Sequence, residues 1–514
     1  MPLGRTFSVA LLGLNGHIIE VEADIGQTLP GFVLLGLPDA SLNEARDRIR
    51  SAAQNAGLPL SRRKLTVNLI PASLPKRGSS FDLAMVMAAL RAAGDVRDTG
   101  GTVFLAELGL DGRLRPVRGI LPAVMAACKA GYPDVVVAAA NETEARLVPG
   151  VRARGFSSLA RVALEFGANP QELVLDDDDG AGSPAGSAET AEAAAAPDMR
   201  DVAGQVEARR ALEVAAAGAH HLMMTGPPGA GKTMLAERLP GLLPDLPDDQ
   251  AMEVTAIHSL GALRPGTAQL VRRPPFENPH HTASAAAVIG GGSGFPRPGA
   301  ASRAHRGVLF LDEAPEYERR VLDALRQPLE SGELVLHRTG GSAAYPAQFQ
   351  LVLAANPCPC GRAVGKGADC SCTPQARRRY FGKLSGPLLD RVDMQIQVQR
   401  LSVAELARPE PQEDTATIAA RVAEARQRQQ ERLRHAGFAT NSEVPGRMLR
   451  GPLRLSAKVT AALDRAVEVG TLTARGYDRV LRVAWTLADL GGRSCPDVDD
   501  VGRALLYRQQ LQSP

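Results

Sequence analysis

The sequence predicts an α/β protein built in three units. Three observations carry this. Short apolar windows alternate with helical windows over residues 1–170 and again over 198–400. A stretch of small and acidic residues separates the two runs. Beyond residue 414 the pattern becomes almost wholly helical. A length of 514 residues agrees with three units at about 150 residues per domain.

In the first unit, FSVALLG and HIIEVEADI alternate apolar and polar residues, as half-buried strands do. Ser41 precedes LNEARDRIRSAAQNAG, a helix with an N-cap candidate and a stop at Gly57. KLTVNLI reads as a strand, and FDLAMVMAALRAAG as an apolar helix ending at Gly94. VFLAELGL and RLRPV flank Asp111-Gly112, a hairpin signal. ILPAVMAACKAG is helical, and DVVVAAA is a buried strand. Residues 175–197 hold four consecutive Asp and no basic or aromatic residue. Such a segment cannot bury enough apolar area to offset its ordering entropy, so it is expected to be a flexible linker. An Ala-rich helix over 188–196 is the rival. The last unit reads as helices broken at Gly437, Gly470 and Gly491-Gly492. The expected division is 1–172, a linker at 173–199, 200–405 and 406–514.

Composition bounds the function. Apolar residues make up 44% and charged residues 22%, as in ordinary globular proteins. Aromatics are 4%, with one Trp, which argues against an extended base-stacking surface. No stretch approaches the roughly 20 apolar residues that span a bilayer. The first residues fit a β-strand better than a secretory leader. Six Cys are too few for a disulfide scaffold, so a cytoplasmic protein is expected. The formal charge is +3, but residues 171–199 carry eight acidic residues and no Lys or Arg. The rest of the chain is therefore mildly basic.

HHLMMTGPPGAGKTMLAERL is the most informative stretch. Gly226, Pro227, Pro228, Gly229, Ala230, Gly231, Lys232 and Thr233 fit G-x-x-x-x-G-K-[ST]. Glycines let backbone N–H groups turn inward around a phosphate, and the following helix presents its N-terminus to the anion. Lys232 is expected at the β/γ-phosphates of ATP and the Thr233 hydroxyl on Mg²⁺. VLFLDE at 308–313 is a buried strand ending in two carboxylates. Asp312 is expected to hold Mg²⁺, and Glu313 to polarise the attacking water as general base. LVLAANP is a strand ending at Asn356, whose amide can orient that water.

Four of the six Cys lie close together as Cys358-Pro-Cys360 and Cys370-Ser-Cys372. Four thiolates on one ion make a closed tetrahedral site, so structural Zn²⁺ is expected. Reduced buried thiols come second and a redox pair third. His280 and His281 are adjacent, so in a strand they would point to opposite sides. They are read as part of a mobile insert rather than as metal ligands.

Strand, P-loop, helix, acidic strand and Asn-tipped strand in this order resemble the AAA+ ATPases. The resemblance implies that Arg391, in SGPLLDRVD, is an arginine finger reaching a neighbouring subunit's ATP. It implies that Arg475, in TARGYDRVLRVA, is the sensor-2 arginine, with Arg479 and Arg482 as rivals. A finger acting in trans implies a homo-oligomer, a hexamer by resemblance. Further stretches narrow the likeness: TVNLIPASLPKRGSSFDLAM, PHHTASAAAVIGGG, HRGVLFLDEAPE and AANPCPCG. Together they resemble the Mg-chelatase-like AAA+ family of the ComM (YifB) type. That resemblance implies a Lon-protease-like (ribosomal-S5-like) α/β domain, a P-loop AAA+ αβα module and a C-terminal helical lid domain. It also implies a hexameric DNA helicase that promotes branch migration in recombination or natural transformation. A chelatase-like or protein-remodelling ATPase is the alternative.

The chain departs from the family at Ala300, where a Glu is usual. It also departs from Lon peptidases. Ser80 falls at the nucleophile's place, but Leu121 stands where the lysine base should be. The first domain is therefore read as non-proteolytic. For DNA phosphates, RRRY at 377–380 and the arginine-rich helix at 421–435 are candidates, with a solvated helix face as the rival reading of the helix.

Overall fold

The structure, a computed structural model, describes residues 3–26, 31–36, 39–60, 64–74, 76, 78–175, 196–261, 269–292, 296–338, 341–363, 370–401 and 412–509. Most of the expected linker, with its rival helix, and the expected boundary at 406 lie outside the described residues.

The first part runs β1 (Gly4–Leu12), β2 (Asn15–Gly26), β3 (Gly31–Leu35), α1 (Asp39–Asn55), β4 (Lys64–Ile70), α2 (Asp82–Ala93), β5 (Val103–Leu105), β6 (Glu107–Leu108), β7 (Leu114–Arg115), α3 (Ile120–Lys129), β8 (Asp134–Ala138), α4 (Ala139–Ala145), β9 (Arg152–Phe156) and α5 (Leu159–Glu165). Seven strands make one mixed sheet in the order β3-β4-β2-β1-β5-β8-β9. Alternation sets its faces: Ile19, Val21 and Ala23 of β2 are fully buried, while Glu20, Glu22 and Asp24 between them are not. Helix α2 lies between β1, β2 and α1. Every residue from Asp82 to Leu90 is buried there, which explains its apolar run. Helix α1 begins at Asp39, so Ser41 lies inside its first turn rather than at the cap.

The second part contributes α6 (Val206–Gly218), β10 (Leu222–Thr225), α7 (Lys232–Leu242), α8 (Asp248–Ser259), β11 (Phe276–Glu277), α9 (Ala285–Val288), β12 (Gly290–Gly291), β13 (Arg297–Pro298), α10 (Ala300–Arg303), β14 (Val308–Leu311), α11 (Arg319–Ala324), α12 (Arg326–Ser331), β15 (Glu333–Arg338), β16 (Gly341–Pro346), β17 (Gln350–Ala355), α13 (Pro374–Phe381), α14 (Gly386–Leu389) and β18 (Met394–Gln397). Its sheet is wholly parallel, in the order β11-β14-β17-β10-β18. Layers cover both faces, so LMMT, VLFL and QLVLAA are buried throughout. Thr225 pairs with Ala355, and Leu311 with Leu353. The carboxyl ends of β10, β14 and β17 thus lie side by side, where open parallel sheets bind ligands.

The last part is helical: α15 (Thr415–Leu433), α16 (Gly446–Leu449), α17 (Ala457–Glu468), α18 (Ala474–Leu490) and α19 (Val498–Gln509). It shares one apolar core with the parallel sheet, through Leu222, Met224, Met394, Val422, Val480 and Trp485. The first part joins through α3 on α8, where the Gly119 N–H donates to Ser259 O at 3.0 Å. Among the described residues, no helix is long and apolar enough to cross a membrane.

The arginine-rich helix α15 is spent mainly on its own chain. Arg421 pairs with Glu213 and Glu413, and Arg426 donates to Ala216 O. Arg428 donates to Asp489 O, and Arg432 pairs with Asp489 over the Trp485 ring. Four of the five arginines counted toward DNA phosphates are thereby committed to holding α6 and α18.

Candidate nucleotide-binding site

The P-loop leaves β10 through Gly226, whose N–H donates to Ala355 O at 3.1 Å. A Cβ at Gly226 would lie 2.2 Å from Val398 O, so only glycine fits. Val398 itself donates its N–H to Thr225 O at 2.7 Å, which presses the exit of β18 onto the loop. Gly229 and Gly231 have φ of 74° and 88°, the left-handed values that let successive N–H groups face one concavity. Helix α7 starts at Lys232 and turns its free N–H groups toward the same place.

Lys232 is buried and donates to Gly226 O at 2.7 Å, Pro227 O at 3.0 Å and Asn356 Oδ1 at 3.2 Å. Burial lowers its pKa, against the raising pull of Asp312 and Glu313. The Thr233 hydroxyl donates to Asp312 Oδ2 at 2.7 Å. Asp312 Oδ1 accepts the Glu313 N–H at 2.9 Å. Lys232, Thr233, Asp312 and Asn356, drawn from three strand ends, therefore form one connected set. Thr233 Oγ1 and Asp312 are oxygen donors of the kind Mg²⁺ takes.

Glu313 stands at φ 50°, a left-handed conformation rare for a side-chain-bearing residue. Such strain concentrates at functional sites. Its carboxylate meets His281 Nδ1 at 3.0 Å. His280 and His281 are not in a strand, and their rings lie 4.2 Å apart at 32°. Both stand beside the acidic strand end. The Tyr317 hydroxyl donates to Pro279 O and ties this turn to the segment after β14. Sequence reasoning also missed Tyr380, which it counted within a basic run. Tyr380 is buried beside Asn356. Burial pushes that phenol up to about 12. Arg378 and Arg379 beside it remain exposed.

Arg391 and Arg475 form a second group. Arg391 pairs with Glu330 and donates to Pro387 O, with its side chain 12% exposed. Arg475 is 73% exposed, 4.0 Å from Asp390. Burial lowers the Arg391 pKa, and the positive charges of Arg475, Arg479 and Arg326 add to that. Arg479 pairs with Asp393, and Arg482 donates to Val444 O at 2.8 Å. Of the three sensor-2 candidates, Arg475 alone is turned to the surface.

The four cysteines of the C-x-C pairs converge. Their sulfurs lie within 4.8 Å of one another, and all four thiols are free. In the first part of the chain, Ser80 is half-buried and Leu121 is fully buried. Nearby Lys76 spends its amine on the carbonyls of Pro71 and Leu74.

A P-loop, an acidic strand end and a polar strand end, side by side on a parallel sheet, define an AAA+ ATPase. Comparison with known proteins narrows the class. Family profiles match over residues 198–406 (magnesium chelatase, subunit ChlI), 21–141 (subunit ChlI of Mg-chelatase) and 412–508 (magnesium chelatase, subunit ChlI C-terminal). An uncharacterized protein of Mycobacterium tuberculosis is 52% identical over 511 residues, 99% of each chain. The competence protein ComM of Haemophilus influenzae is 39% identical, covering 100% of this chain and 98% of its own length. A Lon protease of Salinispora arenicola is 30% identical over 190 residues, 34% of this chain and 24% of the protease. The chain belongs to the Mg-chelatase-like AAA+ family of the ComM type.

Proposed function

We propose that the chain is an ATP-driven motor that works as a ring of copies, six by family likeness, on DNA. The activity is that of a helicase or branch-migration factor in homologous recombination or natural transformation. The observation that carries the reading is full-length relatedness to a protein named for competence, in a chain whose P-loop, acidic and Asn elements already touch. The exposed Arg378 and Arg379 offer charge for phosphates.

The geometry supports the following roles. P-loop N–H groups from Gly226 to Thr233 cradle the phosphates of ATP, and Lys232 leaves its carbonyl partners to meet the β/γ oxygens. Thr233 and Asp312 would hold Mg²⁺, which when bound neutralises phosphate charge. Glu313 takes a proton from the water that attacks the γ-phosphorus, and Asn356 orients that water. His281 positions Glu313. Arg391, as the finger, stabilises the transferring phosphoryl group of a neighbouring copy, and Arg475, as the sensor-2 arginine, binds the nucleotide. Cys358, Cys360, Cys370 and Cys372 would hold a structural Zn²⁺. We divide the chain into a non-proteolytic Lon-like domain (1–172), a linker (173–199), the AAA+ core (200–405) and the helical lid (406–514), working in the cytoplasm.

The test is ATP hydrolysis with and without forked or four-way-junction DNA, together with strand displacement. Stimulation and displacement are expected. No DNA binding at low salt and no stimulation would favour the alternative, a chelatase-like or protein-remodelling motor.

A further inference from the structure

The cysteine cluster lies against the nucleotide site, and its geometry fits a metal. Four sulfurs bound at about 2.3 Å to one tetrahedral ion stand roughly 3.8 Å apart. Cys358 and Cys360 sulfurs are 3.3 Å apart, and each is 3.6 Å from that of Cys370.

Three contacts lead from this cluster to the ATP site. Gly361, at φ 74°, turns the loop so closely over the P-loop that a Cβ there would lie 2.6 Å from Pro228. Cys358 is two residues from Asn356, which accepts from Lys232 at 3.2 Å. Cys372 immediately precedes Thr373, the cap of α13, and α13 carries Tyr380 back beside Asn356. The metal loop thus touches the P-loop from one side and frames Asn356 from the other.

We propose that this four-cysteine site braces the nucleotide pocket, so that bound Zn²⁺ fixes the P-loop and Asn356 in the arrangement that binds ATP. The inference rests on the zinc reading above and adds a dependence of ATP affinity on the metal. A shift of about 1 Å in a positioning group can cost two orders of magnitude. Removing the metal should therefore weaken ATP binding about 10-fold or more.

The experiment uses the full chain, purified under reducing conditions. Its zinc is measured by elemental analysis, and a fluorescent ATP analogue is titrated in Mg²⁺ buffer. The same titration is run after chelation and removal of the chelator, and again after zinc is restored. Expected are one zinc per chain, a loss of affinity on stripping and its recovery on reloading. Gly361→Ala retains all four thiols. It should keep its zinc yet bind the analogue about 10-fold more weakly, because the Cβ displaces Pro228. Bound zinc with affinity unchanged by both stripping and Gly361→Ala would overturn the brace and leave the zinc site standing. Absence of zinc, with no response to chelation, would overturn both. Circular dichroism checks that the stripped chain stays folded; if it unfolds, the zinc-loaded Gly361→Ala titration decides.

Discussion

At the carboxyl ends of β10, β14 and β17, Lys232 holds Asn356 at 3.2 Å and Thr233 holds Asp312 at 2.7 Å. Around Asp390 the arrangement differs. Arg391 is folded onto Glu330, Arg475 is turned outward, and Arg479 and Arg508 from α18 and α19 grip Asp393 and Val392 O. The first group sits at the ends of neighbouring strands in register, with the cysteine loop against it at Gly361 and Pro228. The second is set by the helical part, which reaches back across more than eighty residues to hold the segment after α14. The P-loop, acidic and Asn elements thus meet within one chain. The placement of the arginine half depends on how the helical part sits.

The largest effect should come from the preassembled half. Lys232→Ala should weaken ATP binding by more than about 100-fold, read by titration with a labelled nucleotide, since it removes the charge aimed at the β/γ-phosphates. Retained affinity would break the assignment of the P-loop. Next, Arg391→Ala should lower turnover about 10³-fold with ATP affinity nearly kept, as arginine fingers do. Glu313→Gln should lower turnover about 10²-fold or more while still binding ATP. Mixing these two inactive variants sharpens the contrast. If the halves belong to different copies, mixed rings regain phosphate release; a mixture that stays dead would place the arginine in its own copy's site.

His281→Ala should act more weakly. The pair with Glu313 is half-exposed and worth about 1 kcal/mol at most. Loosening the carboxylate should therefore lower basal turnover by no more than about five-fold. Unchanged basal turnover would show that His281 does not hold the base.

The smallest effect is on stability. Burial lowers the His221 pKa from 6.5 to about 4. Its Nδ1 accepts the Leu351 N–H and so needs the neutral ring. The unfolded chain takes up this proton first. Stability that is full above pH 6.5 is therefore lost as pH falls toward about 4. The thermal midpoint should drop across that window, and His221→Gln should flatten the slope.

Legibility in the sequence followed contiguity. Gly226 to Thr233 are one unbroken motif, and Asp312 and Asn356 each close a run of buried apolar residues. Chemistry and local structure coincide there and could be read together. The seven-stranded sheet was legible where alternation was clean, as in β2. The contact of His281 with Glu313 was not legible, because the two are distant in sequence and the turn between them has no periodic signal. Its one clue was position, just after the short strand β11 beside β14. Tyr380 was hidden in a basic run; its burial depends on α13 folding back after the cysteines. The arginines of α15 looked like a phosphate surface because pattern alone cannot tell a charge facing water from one facing Glu213 or Asp489. The common neighbourhood of Arg391 and Arg475 was out of reach for the same reason, since it is made by packing of α18 against the end of α14.

Gly226 carries a consequence for the history of such chains. The first glycine of a P-loop is usually credited to the phosphate that the loop must approach. Here the crowding comes from within, from the Val398 carbonyl where β18 leaves the sheet. The position is constrained twice, once by ligand and once by architecture. A descendant that had abandoned ATP would still keep this glycine for as long as its chain passed into the helical part along the same path. Its survival in a relative would testify to inherited shape and would be silent about activity, whereas loss of Lys232 would speak to activity directly.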